Sequence, residues 1–130
     1  MGLEKKTAFV AIDGDDIGRK LAACYLSNSV NALKATKALV ELKTEQISTL
    51  LTDLGYEVLF CAADGVTAVS ETSQIDDASL YQKIKETVGD ELAFSAGVGD
   101  SLREAYVALL YAKSTGKARI CNFSSIGENV

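Results

Sequence analysis

The chain has no histidine, no proline and no tryptophan among its 130 residues. Without histidine, no imidazole can neutralise crowded carboxylates or carry protons near neutral pH. Without proline, and with long alanine- and leucine-rich stretches, regular helices are favoured over a loop-rich architecture. Cysteine is sparse: Cys24, Cys61 and Cys121 are odd in number, scattered and set among apolar neighbours. They read as small buried hydrophobes in a reducing cytoplasm, neither a disulfide framework nor a zinc knuckle. Positive charge is also in deficit. A net charge of −5 argues against a surface built to wrap long nucleic acid, because that task needs a basic face. Small nucleotides remain open, since they reach an acidic site through metal ions. No stretch is long and apolar enough to span a membrane. Glu4-Lys5-Lys6 before a short apolar run is too short for a signal peptide, so a cytoplasmic protein is expected.

What is present is nearly half apolar, at 48%, enough for one domain over 1–130 with a proper core. The organising stretch is Phe9-Val10-Ala11-Ile12-Asp13-Gly14-Asp15-Asp16-Ile17-Gly18. An apolar run of strand length ends in three carboxylates and two glycines, and a helical pattern follows. Such carboxylates repel one another, and a hard divalent cation such as Mg²⁺ or Mn²⁺ would resolve the repulsion.

In order, the pattern predicts a strand over 7–13, then a turn at Gly18 and a helix over 19–26. After a break at Ser27-Asn28-Ser29, which supplies N-cap residues, the longest helix spans 31–54 and stops at Gly55. Strands follow over 56–62 and 66–70, with Asp64-Gly65 as the hairpin turn. Residues 72–76 read as polar loop. Leu80, Tyr81, Ile84 and Val88 mark a helix ending at Gly89. A strand over 92–98, a helix from Leu102 to about Lys113 capped by Ser101, and a strand over 118–123 complete the chain. The order β-α-α-β-β-α-β-α-β contains the split βαβ, ferredoxin-like pattern. In that topology the first and third strands are central antiparallel neighbours. Asp13, ending one, and Asp64, at the turn into the other, are therefore expected to converge.

Each motif has a plainer alternative. Asp13-Gly14-Asp15-Asp16 fails as a calcium loop, because Ile17 occupies a ligand position and Cys24 stands where the closing acid belongs. An aspartate-nucleophile phosphatase loop belongs to a doubly wound parallel sheet, which this strand order does not supply. A solvated acidic turn capping the next helix is the structural alternative to metal binding. The hairpin Cys61-Ala62-Ala63-Asp64-Gly65-Val66 is either a simple Asp-Gly turn or a tip kept thin for a ligand. Ala112-Lys113-Ser114-Thr115-Gly116-Lys117 is either a helix end with cations suited to the dipole or a pair of ammonium groups meeting phosphate oxygens.

Those three stretches, with Phe94-Ser95-Ala96-Gly97-Val98 before the last, occur in an order that resembles the Palm domain. That domain is shared by GGDEF diguanylate cyclases and the polymerase subunit of type III CRISPR complexes. The likeness runs from Phe9 to Phe123. The Asp-Gly-Asp-x-x-Gly start is nearer the CRISPR branch, and a single Palm of this length resembles the minimal CRISPR polymerases (mCpol) of prokaryotic defence signalling. The fold class expected is α+β, a ferredoxin-like Palm with a mainly antiparallel sheet and helices packed on one face.

The resemblance implies that Asp13 and Asp64 are catalytic and hold two Mg²⁺ or Mn²⁺ ions with the Gly14 carbonyl, Asp15 supporting. It implies that Asp16, Ile17 and Gly18 present backbone amides to phosphates, and that Lys113 and Lys117 grip the triphosphate. The departures are Ala62 and Ala63 for hairpin glycines, and Gly65 for a fourth, acidic position, which leaves the second metal to lean on Asp15 or Asp16. Leu21 and Val30 stand where guanine-selecting residues would be, which favours adenine. The activity implied is a nucleotidyltransferase making a cyclic dinucleotide or small cyclic oligonucleotide from ribonucleoside triphosphates, ATP favoured. Two facing sites would require a homodimer. The alternatives are a GTP cyclohydrolase-like Palm enzyme and a degenerate Palm that binds nucleotide without turnover.

Overall fold

In the computed structural model, residues 7–72 and 75–126 are described. Glu4-Lys5-Lys6 and residues 73–74 of the expected polar loop lie outside them. The elements are β1 (Ala8–Gly14), α1 (Ile17–Leu26), α2 (Val30–Asp53), β2 (Glu57–Ala62), β3 (Gly65–Ser70), α3 (Asp77–Val88), β4 (Phe94–Gly99), α4 (Leu102–Ser114), β5 (Ile120–Asn122) and α5 (Phe123–Ile126). The sheet order is β2-β3-β1-β4-β5. All neighbours are antiparallel except β4 and β5, which run parallel. The expected α+β, ferredoxin-like arrangement is therefore present, with β1 and β3 adjacent at its centre.

The core follows from strand alternation. Val10 and Ile12 of β1 share one sheet face with Val66, Ala68, Phe94, Ala96 and Val98. That face packs on Val40, Ile47 and Leu51 of α2 and on Leu80, Ile84 and Val88 of α3. Capping sets the helix limits. Ser29 accepts from the Ala32 N–H at 3.1 Å, Asp76 from Ser79 at 2.8 Å and Ser101 from Glu104 at 3.2 Å. Because Asp76 caps it, α3 starts well before the apolar positions that announced it.

One feature of the expected fold is corrected: the helices do not all lie on one face. The fourth helix covers the opposite side, where Ala105 and Leu109 meet Ala11, with Phe9 alongside. Small residues permit this second layer. A Cβ on Gly97 would fall 2.1 Å from the Leu109 backbone nitrogen, so helix and strand touch main chain to main chain. Every residue of β4 is consequently buried, as expected of a strand covered on both faces.

Smaller corrections concern local geometry. Gly18 lies inside the first turn of α1 rather than in a turn before it. The two-residue hairpin loop is Ala63-Asp64, and Gly65 already pairs with Asp13 in the sheet. The last strand is shorter than expected, since Asn122 accepts from the Ser124 N–H at 3.0 Å and starts α5. Of the cysteines, Cys24 is buried, whereas Cys61 is exposed and Cys121 intermediate. β2 is an edge strand with Leu59 and Phe60 also open to solvent, which is why Cys61 gains no cover.

Candidate functional site

Sheet register brings the two distant acids to one place. Asp13 pairs with Gly65, and the Gly14 N–H donates to the Asp64 carbonyl at 3.1 Å, pinning the hairpin tip over the end of β1. A Cβ on Gly14 would lie 3.2 Å from that of Asp64 and 2.6 Å from Ile17 Cγ1, so only glycine lets the three segments close. Partial burial, then the Asp64 charge, raises the Asp13 carboxyl above its ordinary value, although Lys113 pulls the other way. The convergence inferred from topology is present.

Lys113, in the last turn of α4, reaches across this end of the sheet. Its Nζ lies 3.2 Å from Asp13 Oδ2, donates to the Gly14 carbonyl at 2.8 Å and lies 3.3 Å from Asp15 Oδ1. Asp15 itself is 4% exposed. Its Oδ1 accepts from Ser95 Oγ at 2.7 Å, and its Oδ2 accepts from the Ala118 N–H at 2.9 Å. Ser95 also accepts from Ala118, at 3.1 Å. A buried carboxylate needs such matched donors. Nearby, Tyr81 donates to the Phe94 carbonyl at 2.8 Å, and burial followed by the Asp15 charge pushes its phenol up to about 12.

The chain leaving α4 is strained. Gly116, Lys117 and Ala118 all have positive φ, at 138°, 61° and 49°, a conformation costly for residues with a side chain. The Ala118 bonds to Asp15 and Ser95 hold that turn, and the turn aims Lys117 at Asp16, 2.5 Å away. This exposed pair lowers the Asp16 carboxyl, chiefly through the hydrogen bond from Lys117.

Asp16 precedes α1 in a left-handed conformation, φ 60°, and no side-chain cap closes the helix. The plainer reading of the acidic turn as a helix cap therefore fails for Asp16. The first amides of α1 and the positive end of its dipole follow directly on Asp16, and helix starts of this kind suit an anion. Ile17 packs its side chain against the core. A Cβ on Gly18 would meet nothing within 4 Å.

The donor set fits a hard cation in composition. It consists of two carboxylates that repel each other and one carbonyl, with the Lys113 ammonium already drawn to part of it. Among the described residues no three His, Cys, Asp or Glu side chains gather as a metal cluster. A bound cation would therefore take its remaining oxygens from phosphate or water. Beside Asp64, a groove of about 420 Å³ opens between α1, α2 and the hairpin, its apolar wall formed by Ile17, Leu21, Leu33 and Val40 and its polar lining by Lys37 and Glu41.

Asp13, Gly14, Asp15, Asp64 and Lys113 thus form one cluster, with Asp16 and Lys117 paired at its edge and Ile17 and Gly18 opening α1. Sequence reading assigned no role to Ser95, Ala118 or Tyr81. The available signal was a serine inside an otherwise apolar strand.

The minimal CRISPR polymerase domain, mCpol, matches residues 9–123. No match was found among curated proteins. Among solved structures, the active GGEEF domain of a Vibrio cholerae diguanylate cyclase is 16% identical, covering 90% of this chain and 82% of that one, TM-score 0.62. The GGDEF domain of DgcB from Caulobacter crescentus, in complex with c-di-GMP, is 11% identical over 92% and 78%, TM-score 0.64. The Csm1-Csm4 cassette in complex with one ATP is 15% identical over 88% of this chain but 20% of that one, TM-score 0.67.

Proposed function

Because the chain belongs to the minimal CRISPR polymerase domain family, we propose that it is a metal-dependent nucleotidyltransferase. It would join ribonucleoside triphosphates, ATP favoured, into a cyclic dinucleotide or small cyclic oligonucleotide for anti-phage signalling. The observation that carries this reading is the meeting of Asp13 and Asp64 beside the Lys113 ammonium, with Lys117 paired to Asp16 at the edge of the cluster. Support also comes from structural neighbours solved with ATP, pppApA and c-di-GMP.

Divalent ions held by Asp13, Asp64 and the Gly14 carbonyl would supply the charge that activates a ribose hydroxyl and stabilises departing pyrophosphate. The chain's own residues position the reactants. The first amides of α1 receive phosphate oxygens, and Lys113 and Lys117 neutralise the triphosphate as point charges. The base would lie in the groove beside Asp64, against the apolar side chains of Leu21 and Leu33. A ribose oxygen–phosphorus bond forms, the bond to pyrophosphate breaks, and the hydroxyl proton passes to a site carboxylate or water, since no histidine is available. Each site holds one triphosphate, so ring closure calls for two copies facing each other.

The test is incubation with ATP and Mg²⁺ or Mn²⁺, with products identified by mass spectrometry. A cyclic product that Asp13→Ala and Asp64→Ala both abolish supports the reading. Unchanged or linear ATP from protein that binds ATP would sink it. The lone hairpin acid favours one second reading, a nucleotide-binding Palm without turnover. That reading predicts altered affinity in the same variants and no activity in the parent.

A further inference from the structure

Lys113 holds atoms that the reading above assigns to the cation. Its ammonium lies 3.2 Å from Asp13 Oδ2 and 2.8 Å from the Gly14 carbonyl oxygen. A divalent cation on those oxygens and an ammonium on the same oxygens would set like charges side by side, so the two occupancies exclude each other. Lys113 has somewhere to go. Its third partner, Asp15, is fixed by Ser95 and Ala118, so the ammonium keeps one anion when it leaves the other two oxygens. Lys117 differs: its ammonium pairs with Asp16, which lies outside the assigned cation set.

We propose that Lys113 is an internal counter-ion that fills the cation position in the nucleotide-free protein and gives it up when a triphosphate arrives. The incoming phosphates offer the ammonium a new anion, which frees Asp13 and the Gly14 carbonyl for the metal. Cation and triphosphate then bind cooperatively, each strengthening the other by the same factor. The free protein takes up divalent ions poorly, so the site is assembled by its substrate. This inference rests on the proposed metal and nucleotide site, and it adds an order of events to that site.

The test reads metal binding rather than turnover. Mn²⁺ affinity is measured by electron paramagnetic resonance on nucleotide-free wild type, Lys113→Gln, Lys113→Arg and Lys117→Gln. Glutamine removes the charge while keeping a side-chain amide donor. Lys113→Gln should bind Mn²⁺ on the order of tenfold more tightly than wild type, and Mn²⁺ should raise its melting temperature. Lys113→Arg should stay close to wild type, and Lys117→Gln should gain far less. Adding Asp64→Asn to Lys113→Gln should remove the gain.

Equal gains in Lys113→Gln and Lys117→Gln overturn the exchange, because charge alone would then account for both. No gain in Lys113→Gln, while wild type binds Mn²⁺ in the presence of a non-hydrolysable ATP analogue, overturns the exchange and leaves the site reading standing. No Mn²⁺ binding by any form, with or without the analogue, removes both. Should Lys113→Gln not fold, the wild type still decides: an Mn²⁺ affinity unchanged by the analogue contradicts the cooperation.

Discussion

Asp13 and Asp15 stand two residues apart, yet the rim that holds one and the pocket that holds the other treat charge in opposite ways. In the pocket, Asp15 is buried and both its oxygens accept from the protein, through Ser95, Lys113 and Ala118. On the rim, Asp13 keeps about a third of its side chain exposed, and partial burial followed by the charge of Asp64 raises its proton affinity. A carboxylate with matched donors serves the fold, here by clamping a strained turn. One set against a like charge is left with the Lys113 ammonium as its partner. That difference sets Asp15, satisfied by the protein, apart from Asp13, the acid proposed above to hold a cation.

The comparison can be broken most forcefully from the pocket side. Asp15→Ala should cost about 1–3 kcal/mol in chemical denaturation, because it removes the acceptor of the buried Ser95 hydroxyl and one of the two acceptors that hold the Ala118 N–H. A loss below 1 kcal/mol would mean that the pocket does not hold the turn. On the rim, Asp64→Asn should lower cyclic product formation by about 10²–10³-fold while the denaturation curve keeps its midpoint. A collapse of stability there would erase the distinction.

Ala63, at the hairpin tip, has φ 52°, so Ala63→Gly should stabilise the fold by about 1 kcal/mol, read as a raised denaturation midpoint. The smallest effect concerns pH. The raised carboxyl of Asp13 binds a proton more readily in the folded chain, so it opposes folding above its folded pKa. That opposition fades as pH falls through the folded value. Asp13→Asn should therefore raise stability modestly at neutral pH and change nothing below the ordinary carboxylate range. The lowered carboxyl of Asp16 has the opposite sign. Its pairing with Lys117 contributes above the ordinary value and is lost as pH falls through the depressed one. Asp16→Asn should lower stability at neutral pH, and denaturation curves across pH would show the two variants diverging.

The sequence by itself determined the order of elements, the acid cluster closing the first strand, and the helix limits set by Ser29, Ser101 and Gly89. These are local matters of periodicity, capping and turn chemistry, readable within a few residues. The split βαβ order also carried the meeting of Asp13 with Asp64, because strand order fixes which ends are neighbours. Tertiary structure alone decided which acid is buried, on which face α4 lies, and what Lys113 holds. The donors to Asp15 come from 80, 98 and 103 residues away. A carboxylate's task depends on the partners and solvent around it, and no pattern within a few residues encodes contacts across such separations.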